Sequence, residues 1–231
     1  DLTEYPDFGS KAHEASAKRA ADESITLLKN ENNLLPLKKG VRLLVAGPNA
    51  NSMRTLNGGW SYSWQGEKVE MFAQQYNTIF EALKNEFGAN NVKYEAGVTY
   101  KMEGQYFEEN TPEIEKAVAA ATDVDYIVVC LGENTYCETP GNLDELALSE
   151  NQINLAKALQ KTGKPVILVL NEGRPRLIRT IEPASKAIVQ IYLPGNYGAD
   201  ALADVLSGDV NPSGRLPYTY RSAIFIPPVK A

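Results

Sequence analysis

The chain has 231 residues, of which 43% are hydrophobic and 23% are charged, which is enough for one large α/β domain or two small ones. A formal net charge of -6, together with the lack of any lysine- and arginine-rich block, argues against a nucleic-acid partner. No apolar run approaches the ~20 residues needed to cross a bilayer, so no membrane partner is expected. With one histidine and two cysteines, the sequence offers no cluster typical of a metal site, and no cofactor is predicted.

The first predicted element is a helix over residues 10–30 that is rich in small side chains. Ser10 is its predicted N-cap, and a pair of asparagines followed by Pro36 ends it. Small side chains let a helix approach its neighbour closely, so we expect this helix to pack against a flat surface. His13 lies within it and is predicted to take part in that packing rather than in chemistry.

After this helix, apolar runs alternate with helical patterns. Strands are predicted over residues 42–46, 91–94, 125–131, 165–170, 187–193 and, at a sheet edge, 216–220, and helices over 78–87, 111–121, 149–161, 177–181 and 199–206. The run 165–170 is apolar throughout, which is typical of a parallel strand covered on both faces. Ser149 begins one helix with a glutamine three positions later, as in a capping box. We therefore predict an α/β fold: a mostly parallel sheet with helices on both faces, a three-layer α/β/α sandwich, spanning residues 10–221 with linker arms at 1–9 and 222–231.

Two loops that follow the strand at 42–46 are candidates for ligand binding. The first, residues 47–51, has the glycine and asparagine content of a phosphate-binding loop, but its spacing matches neither the dinucleotide fingerprint nor a P-loop. The second, residues 57–66, carries Trp60 and Trp64 between glycines. Large aromatic side chains in a loop either form a small local core or present a flat face for stacking, for instance against the apolar face of a sugar. The sequence leaves both possibilities open.

The strand at 125–131 ends in a glycine, and a long polar loop follows it. In open α/β sheets, ligands bind just past the carboxyl ends of the strands, so this loop is the leading candidate for chemistry. Cys130, within the apolar strand, is predicted to be a buried free thiol. The carboxylates of the loop are Glu133, Glu138, Asp144 and Glu145. Glu133 follows the strand closely and is expected to bond nearby backbone N–H groups in a structural role. Asp144 and Glu145 are expected to be solvated. Glu138, in mid-loop, is the candidate general acid or base.

Several motifs together resemble one known family. They are residues 20–31 with Leu35-Pro36-Leu37, then Asn57-Gly58-Gly59-Trp60 through Trp64-Gln65-Gly66, then Gly132-Glu133, Tyr136, Glu138-Thr139, Gly141 and Leu146, and finally Gly173-Arg174-Pro175, Pro194-Gly195 and residues 211–217. Over almost the whole chain, these motifs are similar to the C-terminal α/β-sandwich domain of glycoside hydrolase family 3. That family comprises exo-acting β-glucosidases and β-glucan glucohydrolases.

The resemblance implies a mechanism that is shared between two domains. In the family, an N-terminal (β/α)8 barrel supplies an aspartate nucleophile, and the second domain supplies the acid/base glutamate, which by position is Glu138. Glu138 would protonate the departing glycosidic oxygen and then deprotonate the incoming water, giving net retention. Trp60 and Trp64 resemble family aromatics beside the site, and Trp64 resembles part of the clamp on the leaving-group sugar. The implied substrates are terminal β-D-glucosyl residues of β-glucosides or β-gluco-oligosaccharides.

The chain departs from the family pattern in one respect. The α/β domain occupies almost its whole length, so we find neither a barrel nor a nucleophile in it. Since it also begins at Asp1 rather than at methionine, we expect an excised or separated domain that is inactive without its barrel, and a periplasmic or secreted origin. Two alternatives stay open. One is a non-catalytic carbohydrate-binding or scaffolding domain that uses only Trp60 and Trp64, and the other, from fold class alone, is a nucleotide- or flavin-binding module.

Overall fold

The computed structural model describes residues 2–5 and 7–220, and the predicted arm at 222–231 therefore lies outside the described residues. Six strands form one sheet: β1 (Thr26–Asn30), β2 (Leu43–Ala46), β3 (Val92–Tyr94), β4 (Tyr126–Gly132), β5 (Val166–Asn171) and β6 (Ala187–Gln190). Their order is β1-β6-β5-β4-β2-β3. Every neighbouring pair is parallel except β1 and β6. The predicted mostly parallel sheet is thus confirmed.

Helices cover both faces of the sheet. They are α1 (Lys11–Ser24), α2 (Met53–Asn57), α3 (Val69–Phe72), α4 (Ile79–Phe87), α5 (Ile114–Ala120), α6 (Glu150–Gln160) and α7 (Gly198–Ser207), with short 3-10 helices at Leu2–Glu4, Glu31–Asn33 and Thr139–Gly141. Because side chains alternate along a strand, Val128 and Cys130 pack with α1, α4 and α7, whereas Ile127 and Val129 pack with α5 and α6. Each strand thus contributes to two cores, and the three-layer sandwich is confirmed.

The predicted helix over residues 10–30 is wrong from residue 25 onward. Helix α1 ends at Ser24, and Ile25 turns the backbone to an extended conformation with φ -63° and ψ 128°. Strand β1 follows as the antiparallel edge beside β6. Leu27 packs against one core and Leu28 against the other, which a strand allows because its consecutive side chains point to opposite faces. His13 is exposed rather than packed.

Three smaller predictions also differ from the structure. Leu177 forms an isolated bridge with Ala147 and residues 179–181 form turns, so no helix lies there. Residues 216–220 form no strand, because β1 already occupies the sheet edge beside β6. The capping box at α6 is half formed: the Gln152 N–H donates to the Ser149 hydroxyl at 3.1 Å, but the Gln152 side chain instead accepts from the Gly132 N–H at 2.9 Å. That glutamine therefore ties α6 to the end of β4.

The sheet has a topological switch point between β2 and β4. Strand β2 lies between β3 and β4, and the chain reaches β3 through α4 on one face but returns to β4 through α5 on the other. The loops that leave β2 and β4 therefore diverge to opposite sides and open a crevice at the carboxyl edge of the sheet. In the part of the chain that the structure describes, no helix has the length and apolar character needed to cross a membrane.

Candidate functional site

Two loops meet at the switch point. We call residues 57–66, after β2 and α2, the Trp loop, and residues 133–141, after β4, the Glu138 loop. The side-chain amide of Gln65 accepts from the Cys137 N–H at 2.9 Å and donates to the Cys137 carbonyl at 3.1 Å. A Cβ atom at Gly59 would lie 2.3 Å from the Tyr136 carbonyl oxygen, so the two backbones touch at a position that only glycine permits.

Glu138 lies at the exposed tip of its loop. Its backbone has φ 52° and ψ -144°, and its carbonyl accepts from the Gly141 N–H at 2.9 Å. Among the described residues, no side chain or backbone group bonds or pairs with its carboxylate. A carboxylate on a fixed backbone, with its oxygens unoccupied, is free to exchange a proton with a ligand.

The two tryptophans contact the residue next to Glu138. Trp60 is 69% exposed and Trp64 is 48% exposed, so the alternative of a small local core beneath the loop is wrong for both indoles. Burial and the negative charge of Glu138 raise the pKa of the Cys137 thiol, and hydrogen bonding by the side chains of Trp64 and Trp60 partly opposes them. Both indoles thus reach the residue that directly precedes Glu138. The structure brings together all three site residues that the sequence predicts.

Backbone strain is concentrated in the same two loops. Trp60, Tyr62 and Glu138 have φ values of 59°, 60° and 52°, in the left-handed region that bulky side chains rarely adopt. Such residues cost about 1–3 kcal/mol each and persist where the surrounding contacts hold them. Here the Trp60 N–H donates to the Trp64 carbonyl at 2.9 Å and closes the Trp loop on itself.

The root of the Glu138 loop is a buried ionic cluster. The Glu133 side chain is 3% exposed, and its Oε1 atom accepts from Arg174 Nη2 at 2.7 Å and from Arg176 Nη1 at 2.8 Å. The Tyr136 hydroxyl donates to the other oxygen at 3.2 Å. The predicted structural role of Glu133 therefore agrees with its geometry, but its main partners are guanidinium groups. Among the described residues, a single backbone N–H, from Arg174 at 3.3 Å, contacts it.

Arg174 joins the two ends of the Glu138 loop. Besides Glu133, its guanidinium donates to the Gly141 carbonyl at 2.5 Å and stacks 3.7 Å above the Tyr136 ring. Burial acts to lower the pKa of Arg174, whereas the hydrogen bonds and the charge of Glu133 act to raise it. The second effect is larger, so the pKa of Arg174 is raised. The sequence offered this residue only as part of a family motif. Its position after β5, the strand beside β4, was the one physical signal of its role.

Glu172 is a second buried acid beneath the loop, and no sequence motif singled it out. It is 0% exposed, and one of its oxygens accepts from the Arg176 N–H at 3.1 Å and from the Tyr220 hydroxyl. Burial raises the pKa of this carboxyl to about 8, although both hydrogen bonds act in the opposite direction. Glu172 is therefore largely protonated at neutral pH.

The loop at 47–51 is bound to the strand ends and does not form an open cradle. Asn49 is fully buried, and its amide donates to the carbonyl oxygens of Glu133 and Asn171, both at 3.2 Å. A Cβ atom at Gly47 would lie 2.1 Å from the carbonyl oxygen of Cys130. These contacts agree with the argument from spacing against a phosphate-binding loop.

One group of three carboxylates could hold a cation in the described part of the chain. The oxygens of Glu86, Asp204 and Asp209 lie within 4.8 Å of one another. Lys18 already pairs with Asp204 at 2.6 Å, and Lys39 lies 3.5 Å from Glu86. The group lies on α4, on α7 and just beyond α7, away from the loops that carry Glu138 and the tryptophans. We assign no role to it.

Comparison with known proteins identifies the family. The family model described as "Glycosyl hydrolase family 3 C-terminal domain" matches residues 25–225. The chain belongs to glycosyl hydrolase family 3. A lysosomal beta glucosidase of Dictyostelium discoideum is 39% identical over 92% of this family 3 domain and 26% of its own length. A periplasmic beta-glucosidase of Salmonella typhimurium is 32% identical over 93% of this chain and 29% of its own.

A solved structure has the same architecture. The beta-glucosidase from Listeria innocua in complex with isofagomine superposes with a TM-score of 0.77 at 29% identity, over 92% of this chain and 28% of that one. The family 3 domain described here therefore spans between a quarter and a third of the length of these three relatives. It belongs to a family of glycoside hydrolases whose members include lysosomal and periplasmic β-glucosidases.

Proposed function

We propose that this domain supplies the general acid/base, Glu138, of a retaining, exo-acting β-glucosidase whose nucleophile comes from an N-terminal (β/α)8 barrel. The observation that carries the proposal is the carboxylate of Glu138, which no described residue pairs with, on a strained backbone in a loop that contacts two exposed indoles at the switch point of the sheet. A site that binds sugars needs flat apolar faces for the C–H side of the ring and a polar group aimed at the reacting bond.

The chemistry proceeds in two steps. In the first, the protonated Glu138 donates to the glycosidic oxygen as the barrel's aspartate attacks the anomeric carbon, so the aglycone leaves neutral and a glucosyl-enzyme forms. In the second, the Glu138 carboxylate takes a proton from water as that water displaces the aspartate, which regenerates both groups. Retaining enzymes place the two carboxyl groups about 5–5.5 Å apart. The barrel must therefore dock directly over the tip of the Glu138 loop.

An exposed apolar surface around the tip supports that docking. Trp60, Tyr62, Trp64, Phe72, Met102 and Phe107 are all between 48% and 72% exposed, and Tyr62 stacks on Phe72 with ring centroids 5.4 Å apart. Exposed apolar side chains in such number are typical of a surface that contacts a ligand or another protein. A covering barrel would bury part of it and exclude water, which favours the protonated form of a carboxyl group.

The test compares Glu138→Gln with Glu145→Gln in the full-length enzyme that contains the barrel. Glu145 is an exposed carboxylate farther along the same connection and serves as the matched control. We expect Glu138→Gln to lower hydrolysis of a poorly activated alkyl or sugar β-glucoside by about 10²–10⁴-fold, with the control unchanged. Equal rates in the two variants would overturn the proposal and favour the alternative, a non-catalytic carbohydrate-binding or scaffolding domain that uses Trp60 and Trp64.

We also propose a periplasmic or secreted location. It rests on the lysosomal and periplasmic relatives, and fractionation of the source cells with an antibody against this domain tests it. Recovery of the protein in the cytoplasmic fraction alone would contradict it.

A further inference from the structure

Gln65 forms an uncommon pair of hydrogen bonds with one residue of the Glu138 loop. A side-chain amide offers a donor and an acceptor side by side, and Gln65 uses both on the backbone of Cys137, at 2.9 Å and 3.1 Å. It thereby occupies the place that a neighbouring β-strand would take. The residue bound in this way directly precedes Glu138, and Gln65 directly follows Trp64.

This pair of bonds controls the backbone of Glu138. The Cys137 carbonyl belongs to the peptide group that joins residues 137 and 138, and φ and ψ of Glu138 are set by the orientation of that group relative to the next one. The next peptide group is fixed by the bond from the Gly141 N–H to the Glu138 carbonyl, at 2.9 Å. With φ 52° and ψ -144°, Glu138 is in a region that costs about 1–3 kcal/mol. A residue released from these bonds would relax to negative φ, and its side chain would then point in another direction.

No other described side chain can do this. Arg54 also joins the two regions, with its Nε donating to the Thr135 hydroxyl at 2.7 Å, but Thr135 lies nearer the root of the loop. Arg174 binds the Gly141 carbonyl at the far end. Among the described residues, Gln65 alone contributes a side-chain hydrogen bond to either peptide group that flanks Glu138.

We infer that Gln65 is a positioning residue for proton transfer, which aims the Glu138 carboxyl and holds it in register with a sugar stacked on Trp64. The inference rests on the proposed acid/base role of Glu138 and extends it to the residue that sets its direction. Because Gln65 is adjacent to Trp64 in the chain, one side chain ties the surface that would bind the leaving group to the group that would protonate it. Loss of Gln65 should therefore impair protonation of the leaving group while leaving the carboxyl group present.

The experiment uses the full-length enzyme and a series of aryl β-glucosides whose phenol leaving groups differ in acidity. The measured quantity is kcat/KM, which reports the step in which the aglycone departs. A 2,4-dinitrophenolate leaves without protonation, whereas an unsubstituted phenol needs the acid. The variants are Gln65→Ala, Gln65→Glu, Glu138→Gln and, as the matched control, Gln74→Ala, an exposed glutamine in another loop. Thermal unfolding of each variant confirms that it is folded.

We expect Gln65→Ala to lower kcat/KM for the phenyl glucoside by about 10–100-fold and to leave the dinitrophenyl glucoside within about threefold of the parent. Gln65→Glu keeps the acceptor for the Cys137 N–H, but it can donate to the Cys137 carbonyl only when it is protonated. Its defect, relative to Gln65→Ala, should therefore shrink as the pH is lowered. A uniform fall across all leaving groups would mean a merely structural role and would overturn the inference, as would a Gln65→Glu profile that follows Gln65→Ala at every pH.

The Glu138→Gln variant separates the two proposals. If its loss grows as the leaving group becomes less acidic while Gln65→Ala behaves like Gln74→Ala, only the inference about Gln65 fails. If Glu138→Gln itself shows no dependence on the leaving group, the acid/base assignment fails, and the inference about Gln65 fails with it.

Discussion

The root and the tip of the Glu138 loop place two glutamates in opposite surroundings. At the root, Glu133 is buried and held by two guanidinium groups and a tyrosine hydroxyl. At the tip, Glu138 is exposed, and no residue of the described chain bonds its carboxylate. A carboxylate whose oxygens already accept from fixed donors has little hydrogen-bonding capacity left for a ligand. The comparison therefore separates the glutamate that builds the site from the one that is available for chemistry.

The largest expected effect comes from breaking the root. Glu133→Ala leaves the guanidinium groups of Arg174 and Arg176 without their carboxylate in a buried place, and we expect the free energy of unfolding to fall by about 3–5 kcal/mol. Chemical denaturation of the chain measures it. The control, Glu145→Ala, removes an exposed carboxylate from the same connection and should stay within about 0.5 kcal/mol of the parent. Equal losses in the two variants would show that the cluster contributes nothing to stability.

A smaller loss of stability is expected when Arg174 is replaced by a residue with the same charge but a different shape. Arg174→Lys retains the positive charge but has neither the planar fork that holds Glu133 nor the flat face that stacks on Tyr136. We expect the free energy of unfolding to fall by about 1.5–3 kcal/mol. We also expect amide hydrogen exchange to become faster at Gly141, at the far end of the loop. Arg215→Lys, at an exposed arginine, is the control. An unchanged exchange rate at Gly141 would contradict the role of Arg174 in joining the ends of the loop.

The third prediction uses Glu172, the protonated acid below the root. Below about pH 4.5 both the folded and the unfolded chain keep its proton, and between there and about pH 8 only the folded chain keeps it. The unfolded state therefore gains relative stability as the pH rises through this window, by at most about 1.4 kcal/mol per pH unit. Glu172→Gln removes this proton, so its free energy of unfolding should decline less between pH 5 and pH 8. Parallel curves for the parent and the variant would refute the assignment.

The sequence revealed the tip of the loop better than the root. Apolar runs predicted β4 and β5, and a mid-loop position, with the family resemblance, predicted Glu138. The partners of Glu133 were not predictable in this way, because Arg174 and Arg176 lie 41 and 43 positions farther along the chain. Gln65 stood only within a family motif, and its role was not predictable because it depends on two loops meeting. Strand β1 was missed because a short apolar run fits a helix and a strand equally well.

The smallest effects on stability are expected at the tip, where one substitution should raise the free energy of unfolding rather than lower it. Glu138→Gln should leave the free energy of unfolding within about 0.5 kcal/mol of the parent, because no described residue bonds the carboxylate. Glu138→Gly should raise it by about 1 kcal/mol, since glycine adopts φ 52° without the strain of a side chain, and this gain exceeds the entropy that glycine adds to the unfolded chain. Denaturation midpoints at equal slope measure both. A loss of stability in Glu138→Gly would mean that the backbone is not strained there, whereas a gain would show that the chain retains this glutamate at a cost to folding.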